Sequence, residues 1–214
     1  MRRPPTLHDR DAALRAGLRE FWHRGYHATS MKDLEQATGM HPGSVYAAFG
    51  SKLGFFTAAL DRYSDDAVRE ILSGINAGET PLRGLAAYVR GIADGVDVPS
   101  RACMLVKTLL EAGEADHPLR DGAERGLAAI EHAIREALSA AKAANLLRDG
   151  IAIDATAQRI QLNLIGLRSF ACRPGDGARV RAMAETIANE IIELERADRT
   201  PERSYGKVQS CPGD

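Results

Sequence analysis

Cysteine is scarce in this sequence, with Cys103, Cys172 and Cys211 the three in 214 residues. They are too few and too scattered for a disulfide framework, and none sits in a paired C-x-x-C zinc arrangement. Reduced thiols and neither metal nor cofactor are therefore expected. Aromatic residues are also sparse, at 5% of the chain, while Ala, Leu, Arg and Glu abound, which favours helices over a β-rich fold. No apolar run approaches the ~20 residues that cross a bilayer. The start, Met1 to Leu7, is rich in Arg and Pro without the apolar stretch of a leader. The expectation is a cytoplasmic protein with no membrane partner. Metalloprotease HExxH, phosphate-binding glycine loop, nucleophile elbow and dinucleotide fingerprint are all missing, and the carboxylates are spread over solvated helix faces. An enzyme is not expected.

No charge sign dominates, since the formal net charge is −1. The distribution is more informative. Residues 1–62 hold nine Lys and Arg against six Asp and Glu, a net of +3, and the remainder carries −4. Four of the six histidines, His8, His23, His27 and His41, fall in the same first segment. A modest positive field at the N-terminal end fits a small nucleic-acid-binding head on a neutral-to-acidic body.

The apolar periodicity divides the chain into helices. Leu14, Leu18, Phe21 and Trp22 share one face of a first helix over 9–24, which Gly25 ends. Thr29 and Ser30 offer cap oxygens to a second helix of barely two turns, ending at Gly39; so short a helix needs neighbours to hold it. Pro42, whose fixed φ suits a first helical position, starts a third helix carrying Val45, Tyr46 and Phe49, broken at Gly50. Two short helices across a glycine turn, braced by a longer one, form a helix-turn-helix. Ser51 then caps a long rod over 52–75. Further helices are predicted over 81–94, 102–112, 118–147, 154–172 and 176–197, and the polar stretch 198–214 reads as a disordered tail. In the last two helices Ile160, Leu164 and Leu167, and Ala184, Ile187, Ile191 and Leu194, repeat at three- and four-residue spacing. Such a seam suits packing of near-parallel helices and a four-helix homodimer interface; ordinary core packing of a monomer is the alternative.

The run Gly25 to Phe56, GYHATSMKDLEQATGMHPGSVYAAFGSKLGFF, resembles the DNA-binding signature of the TetR family. A Gly-Tyr start, a Thr-Ser cap, a short periodic helix, a glycine turn, a Gly-Ser-apolar-Tyr core and a Phe-x-Ser-Lys ending all occur at the matching spacings. The resemblance is specific over about the first 65 residues and looser beyond. It implies an all-α protein, with a three-helix DNA-binding head over 5–65 joined by a long helix to a ligand-binding and dimerisation body over 66–197. It implies a transcriptional regulator, a repressor released from a pseudo-palindromic duplex operator by a small-molecule inducer.

On that reading Thr29, Ser30, Lys32, Tyr46 and Lys52 hold phosphates, the Tyr46 ring being sunk in the head's core. His41, Pro42, Gly43, Ser44, Ala47 and Ala48 approach base edges. For His41 a mere helix cap is the alternative. Ala47 and Ala48 stand where large polar or aromatic residues are common in the family, and Leu53-Gly54 where an acidic pair is usual. Base reading would then rest on thymine methyls and close backbone approach. In the body, Cys103, Val106, Lys107, Leu110, Asn163 and Arg168 are candidate pocket residues. Two other readings stay open: a regulator signalled by modification of the Cys103 thiol, beside Arg101 and Lys107, and a helical interaction adaptor that binds no DNA.

Overall fold

The computed structural model describes residues 7–94, 102–113, 116–173 and 175–196. The predicted tail, Cys211, Arg101 and the whole of the 95–100 connection lie outside the described residues. Within them the chain forms nine helices: α1 Leu7–Arg24, α2 Met31–Thr38, α3 Pro42–Phe49, α4 Lys52–Ala77, α5 Pro81–Asp94, α6 Met104–Glu111, α7 His117–Ala143, α8 Ile153–Phe170 and α9 Gly177–Ile192. No helix among the described residues is long and apolar enough to cross a membrane.

Local chemistry sets the ends of the first four. A capping box opens α2: the Ser30 hydroxyl accepts from the Asp33 N–H, and the Asp33 carboxylate accepts from the Ser30 N–H at 2.8 Å. Two orphan amides are thereby satisfied. Gly39, at φ +67°, closes the helix in the left-handed conformation that a Cβ disfavours, and the chain re-enters a helix at Pro42. Ser51 caps α4 by accepting from the Gly54 N–H at 3.0 Å.

A compact aromatic core holds these short helices together. Phe21 of α1 stands edge-on to Phe55 and Phe56 of α4, with centroids 5.8 and 4.8 Å apart, and Phe49 at the end of α3 stacks on Phe55 at 3.9 Å. Leu34 of α2 and Val45 of α3 are wholly buried against this cluster. Burial of a side chain of this size stabilises by ~1.5–3 kcal/mol, several times what a two-turn helix could supply by propensity.

The 26 residues of α4 make a rod of ~39 Å that runs from the head into the body without a break at position 65. In the body α5 is the central helix, its Leu82, Leu85, Ala86 and Val89 fully enclosed among α4, α7 and α9. Gly74 and Gly84 bring α4 and α5 together backbone to backbone. On the far side of α7, Ile160, Leu164 and Leu167 of α8 are buried.

Two helices stop earlier than the periodicity predicts. The reach of α7 is 143 rather than 147, because Asn145 turns at φ +59° and Leu147 pairs as an isolated bridge with Glu195. The same pairing ends α9 at 192 instead of 197. Arg148 N–H donates to the Leu194 carbonyl at 2.9 Å, and Arg196 N–H to that of Leu146 at 2.7 Å.

Candidate nucleic-acid interface and body cavity

On the head, the face of α3 turned away from the aromatic core is open. His41, Pro42, Gly43, Tyr46 and Ala47 are exposed, with Ser44 and Ala48 half-buried beside them. His41 occupies the N-cap position in extended conformation, yet its imidazole makes no capping bond. Its ring is therefore available at the leading end of the helix. Tyr46 departs from the expectation of a ring sunk in the core: half its surface is exposed, because the neighbouring Val45 and Phe49 take the inward positions. Part of its ring as well as the hydroxyl is open on the face.

The residues expected to hold phosphates divide in two. Lys32 is exposed on α2. Thr29, by contrast, is buried and its hydroxyl donates to the Gly25 carbonyl at 2.7 Å, while the Ser30 hydroxyl is committed to Asp33 at 2.6 Å. Both shape the entry to α2 and leave anion contact to backbone amides at the helix N-terminus. Lys52 lies with Nζ 4.4 Å above the Tyr26 ring, and its ammonium donates to the His27 carbonyl at 3.5 Å. Desolvation there lowers its pKa, opposed by the Asp33 charge.

The body touches the head through α6. Lys107 donates to the Trp22 and His23 carbonyls at 2.7 and 3.3 Å, capping the C-terminal end of α1 where the helix dipole favours a cation. The Glu111 carboxylate packs on Gly25, closer than any Cβ there would tolerate. The Trp22 indole N–H donates to the Ala102 carbonyl at 2.7 Å, and its ring meets Tyr63 of α4 edge-on at 5.1 Å. Lys107 thus faces α1.

Beneath this junction lies a cavity of about 1230 Å³ between α1, α4, α5 and α8. Arg168 of α8 lines it; the other five residues expected to do so are absent from its wall. Leu110 points out to solvent at 83% exposure. Cys103 is buried at the start of α6, beside the Tyr63 hydroxyl, and Val106 and Asn163 are half-buried elsewhere. Helical spacing places residues on a face but does not say which face meets a void. Sequence reasoning missed Trp22, Tyr63 and Tyr88 as wall residues. Their signal was present in a chain so poor in aromatics.

The seam residues of the last helices also need correction. Ile160, Leu164, Leu167, Ala184, Ile191 and Leu194 are buried within the single chain and Ile187 partly so, because α8 spends that face on α7 and α9 spends its own on α5. They are core. Outside that core Leu162 of α8 is two-thirds exposed, and Ile165 of α8 and Met183 and Ile187 of α9 are half-buried.

Residues 13–59 match the family described as bacterial regulatory proteins, tetR family. This segment is a DNA-binding head of the tetR type. Over 61 residues it is 51% identical to the HTH-type transcriptional repressor ComR of Escherichia coli K12, covering 28% of this chain and 29% of ComR. The HTH-type transcriptional activator FasR of Mycolicibacterium smegmatis is 28% identical over 104 residues, 49% of this chain and 48% of FasR. The chain therefore aligns with under half the length of these curated relatives. Among solved structures, the tetR-family regulator CifR, a cysteine mutant complexed with 26bp double-strand operator DNA, superposes with a TM-score of 0.75 at 26% identity. That likeness covers 88% of this chain and 98% of CifR, so the likeness in fold extends through the body, which the family match over 13–59 does not reach.

Proposed function

We propose that the chain is a sequence-specific transcriptional regulator that binds a pseudo-palindromic duplex operator as a homodimer, acts in the cytoplasm as a repressor, and is released by a small molecule held in the body. The observation that carries this reading is the exposed face of α3, with His41, Pro42, Gly43, Tyr46 and Ala47 ungapped by any other element. Such a face can enter a major groove, while Lys32, Lys52 and the N-terminal amides of α2 grip the flanking phosphates. Residues 5–65 serve as the DNA-binding head and 66–197 as the ligand and dimerisation body, with α4 common to both.

A second copy docks on the open side of α8 and α9 around Leu162, which pairs two heads for successive major grooves ~34 Å apart. Release follows from the α6 junction. A charge-assisted bond such as that from Lys107 to the end of α1 contributes ~1.5–3 kcal/mol, which matches the ~1–3 kcal/mol typical of coupling between sites. Shifting α6 or Trp22 by ligand contact can therefore change the head spacing enough to lose operator affinity. Fluorescence anisotropy with duplexes from upstream of the chain's own gene tests the reading. Tight binding to one duplex, weakening steeply with salt and exceeding that to scrambled duplex by at least ~10³-fold, is expected; equal affinity for all duplexes contradicts it.

A further inference from the structure

The inner end of the body cavity is built around one cation without an anion. Arg168, near the C-terminal end of α8, reaches inward between Tyr63 of α4 and Tyr88 of α5. Its guanidinium donates to the Tyr88 hydroxyl at a long 3.5 Å, and no carboxylate lies within ion-pair distance of it among the described residues. Neither phenol offers compensation. Burial raises the pKa of Tyr63 and of Tyr88, so both stay neutral, and the guanidinium stays charged beside them. A half-buried cation left with two neutral hydroxyls is an unfinished electrostatic arrangement.

The carboxylates of the cavity are placed elsewhere. Asp66 is held by Arg62 and Arg69, and Glu20 by Arg24. Glu70 is exposed, like Arg69, Arg19 and His23; its charge reaches the Tyr88 hydroxyl but makes no ion pair with Arg168. Between rim and Arg168 the wall is apolar or aromatic, from Leu18, Trp22, Ala67, Ala87 and Ile92. The planar fork of an arginine matches the two oxygens of a carboxylate, and the flanking hydroxyls can donate to the same group. A ring-bearing apolar body would fill the rest against Trp22 and Tyr63.

We propose that the cavity takes an amphipathic monoanion, a carboxylate on an apolar ring-bearing body, with its charged end on Arg168, Tyr63 and Tyr88. This assignment rests on the reading of the body as an inducer-binding unit and names the chemical class of the inducer. It also accounts for the link to the head: Trp22 touches both the cavity and Tyr63, and holds the Ala102 carbonyl at the entry to α6.

Trp22 is the one tryptophan of the sequence, so its fluorescence reports occupancy of the cavity without a label. The probes are 4-butylbenzoate and its uncharged amide, 4-butylbenzamide, titrated into the full chain. The acid is expected to bind at least ~10-fold more tightly than the amide. Arg168→Met should abolish that preference while leaving the amide unchanged, and Tyr88→Phe should reduce it. Arg168→Lys, which keeps the charge and loses the fork, should retain only part of it and serves if Arg168→Met does not fold. Equal binding of acid and amide to the native chain, no binding of either, or a preference that survives in folded Arg168→Met overturns the proposal. Duplex binding by the same ligand-free sample separates the two claims. Acid preference without duplex binding sinks the regulator reading and keeps the site; duplex binding without acid preference does the reverse.

Discussion

Tyr46 shows what a single side chain can reveal about the head. Its half-exposed ring contributes little to the core, so Tyr46→Phe should leave the melting temperature within a degree or two of the parent while weakening operator binding about five-fold, the value of one hydrogen bond of ~1 kcal/mol. Anisotropy and a thermal melt on the same sample check both halves. Asp33 gives a pH prediction. The Ser30 hydroxyl and then the Ser30 N–H, with Arg24 adding less, hold its carboxylate below the ordinary 3.8. A lowered folded-state value means that its contribution is fully present above pH 3.8 and is lost as pH falls through the lower folded value. Acid melts of the parent should thus steepen below pH 3.8, and Asp33→Asn should remove that extra slope. Burial also separates the two described thiols, since Cys103 is buried and Cys172 exposed. Brief alkylation of the native chain followed by peptide mapping should find Cys172 modified and Cys103 intact; rapid modification of Cys103 would favour the thiol-signal alternative. Apart from the outward turn of the Tyr46 ring, the residues of the α3 face were legible in the sequence because helix phase and the turn at Gly39 fix them. The ligand-side residues were not, since Lys107 and Leu110 have the right composition for a wall and differ only in direction.

Helices were easier to read than their ends. Caps at Ser30 and Ser51 and the proline at the first position of α3, Pro42, mark starts chemically, so α2, α3 and α4 begin where the sequence predicts. The ends of α7 and α9 depend on each other across about fifty residues through the Leu147–Glu195 pairing, which no local periodicity contains. The α4–α5 crossing is likewise a long-range fact. A Cβ on Gly84 would lie 2.0 Å from the Gly74 carbonyl oxygen, whereas one on Gly91, on the same helix, meets nothing within 4 Å. Gly84→Ala should therefore destabilise by ~1–3 kcal/mol through forced separation of two backbones, and Gly91→Ala should stabilise by ~0.5–1 kcal/mol through helix propensity. Opposite shifts in denaturant midpoint are the expected result; equal shifts would mean that the helices do not cross there.

For the whole molecule, the proposed function turns on whether a second copy pairs the heads. The seam at Ile160, Leu164 and Leu167 was readable as a packing face, yet one chain already buries it, and hydrophobic spacing cannot distinguish a partner helix in the same chain from one in another. The open face around Leu162 remains for a second copy. Leu162→Glu should convert a dimer to a monomer in sedimentation velocity with unchanged helicity, and lose operator binding because a single head forgoes half of the contacts. The most direct test of the account is selection of tight binders from a random duplex library by the full-length chain. Recovery of a two-fold-related motif, whose half-sites are read by the α3 face and lose preference in a His41→Ala, Tyr46→Ala double variant that still folds, is the predicted result. Recovery of no motif, or of one unaffected by that variant, would contradict it.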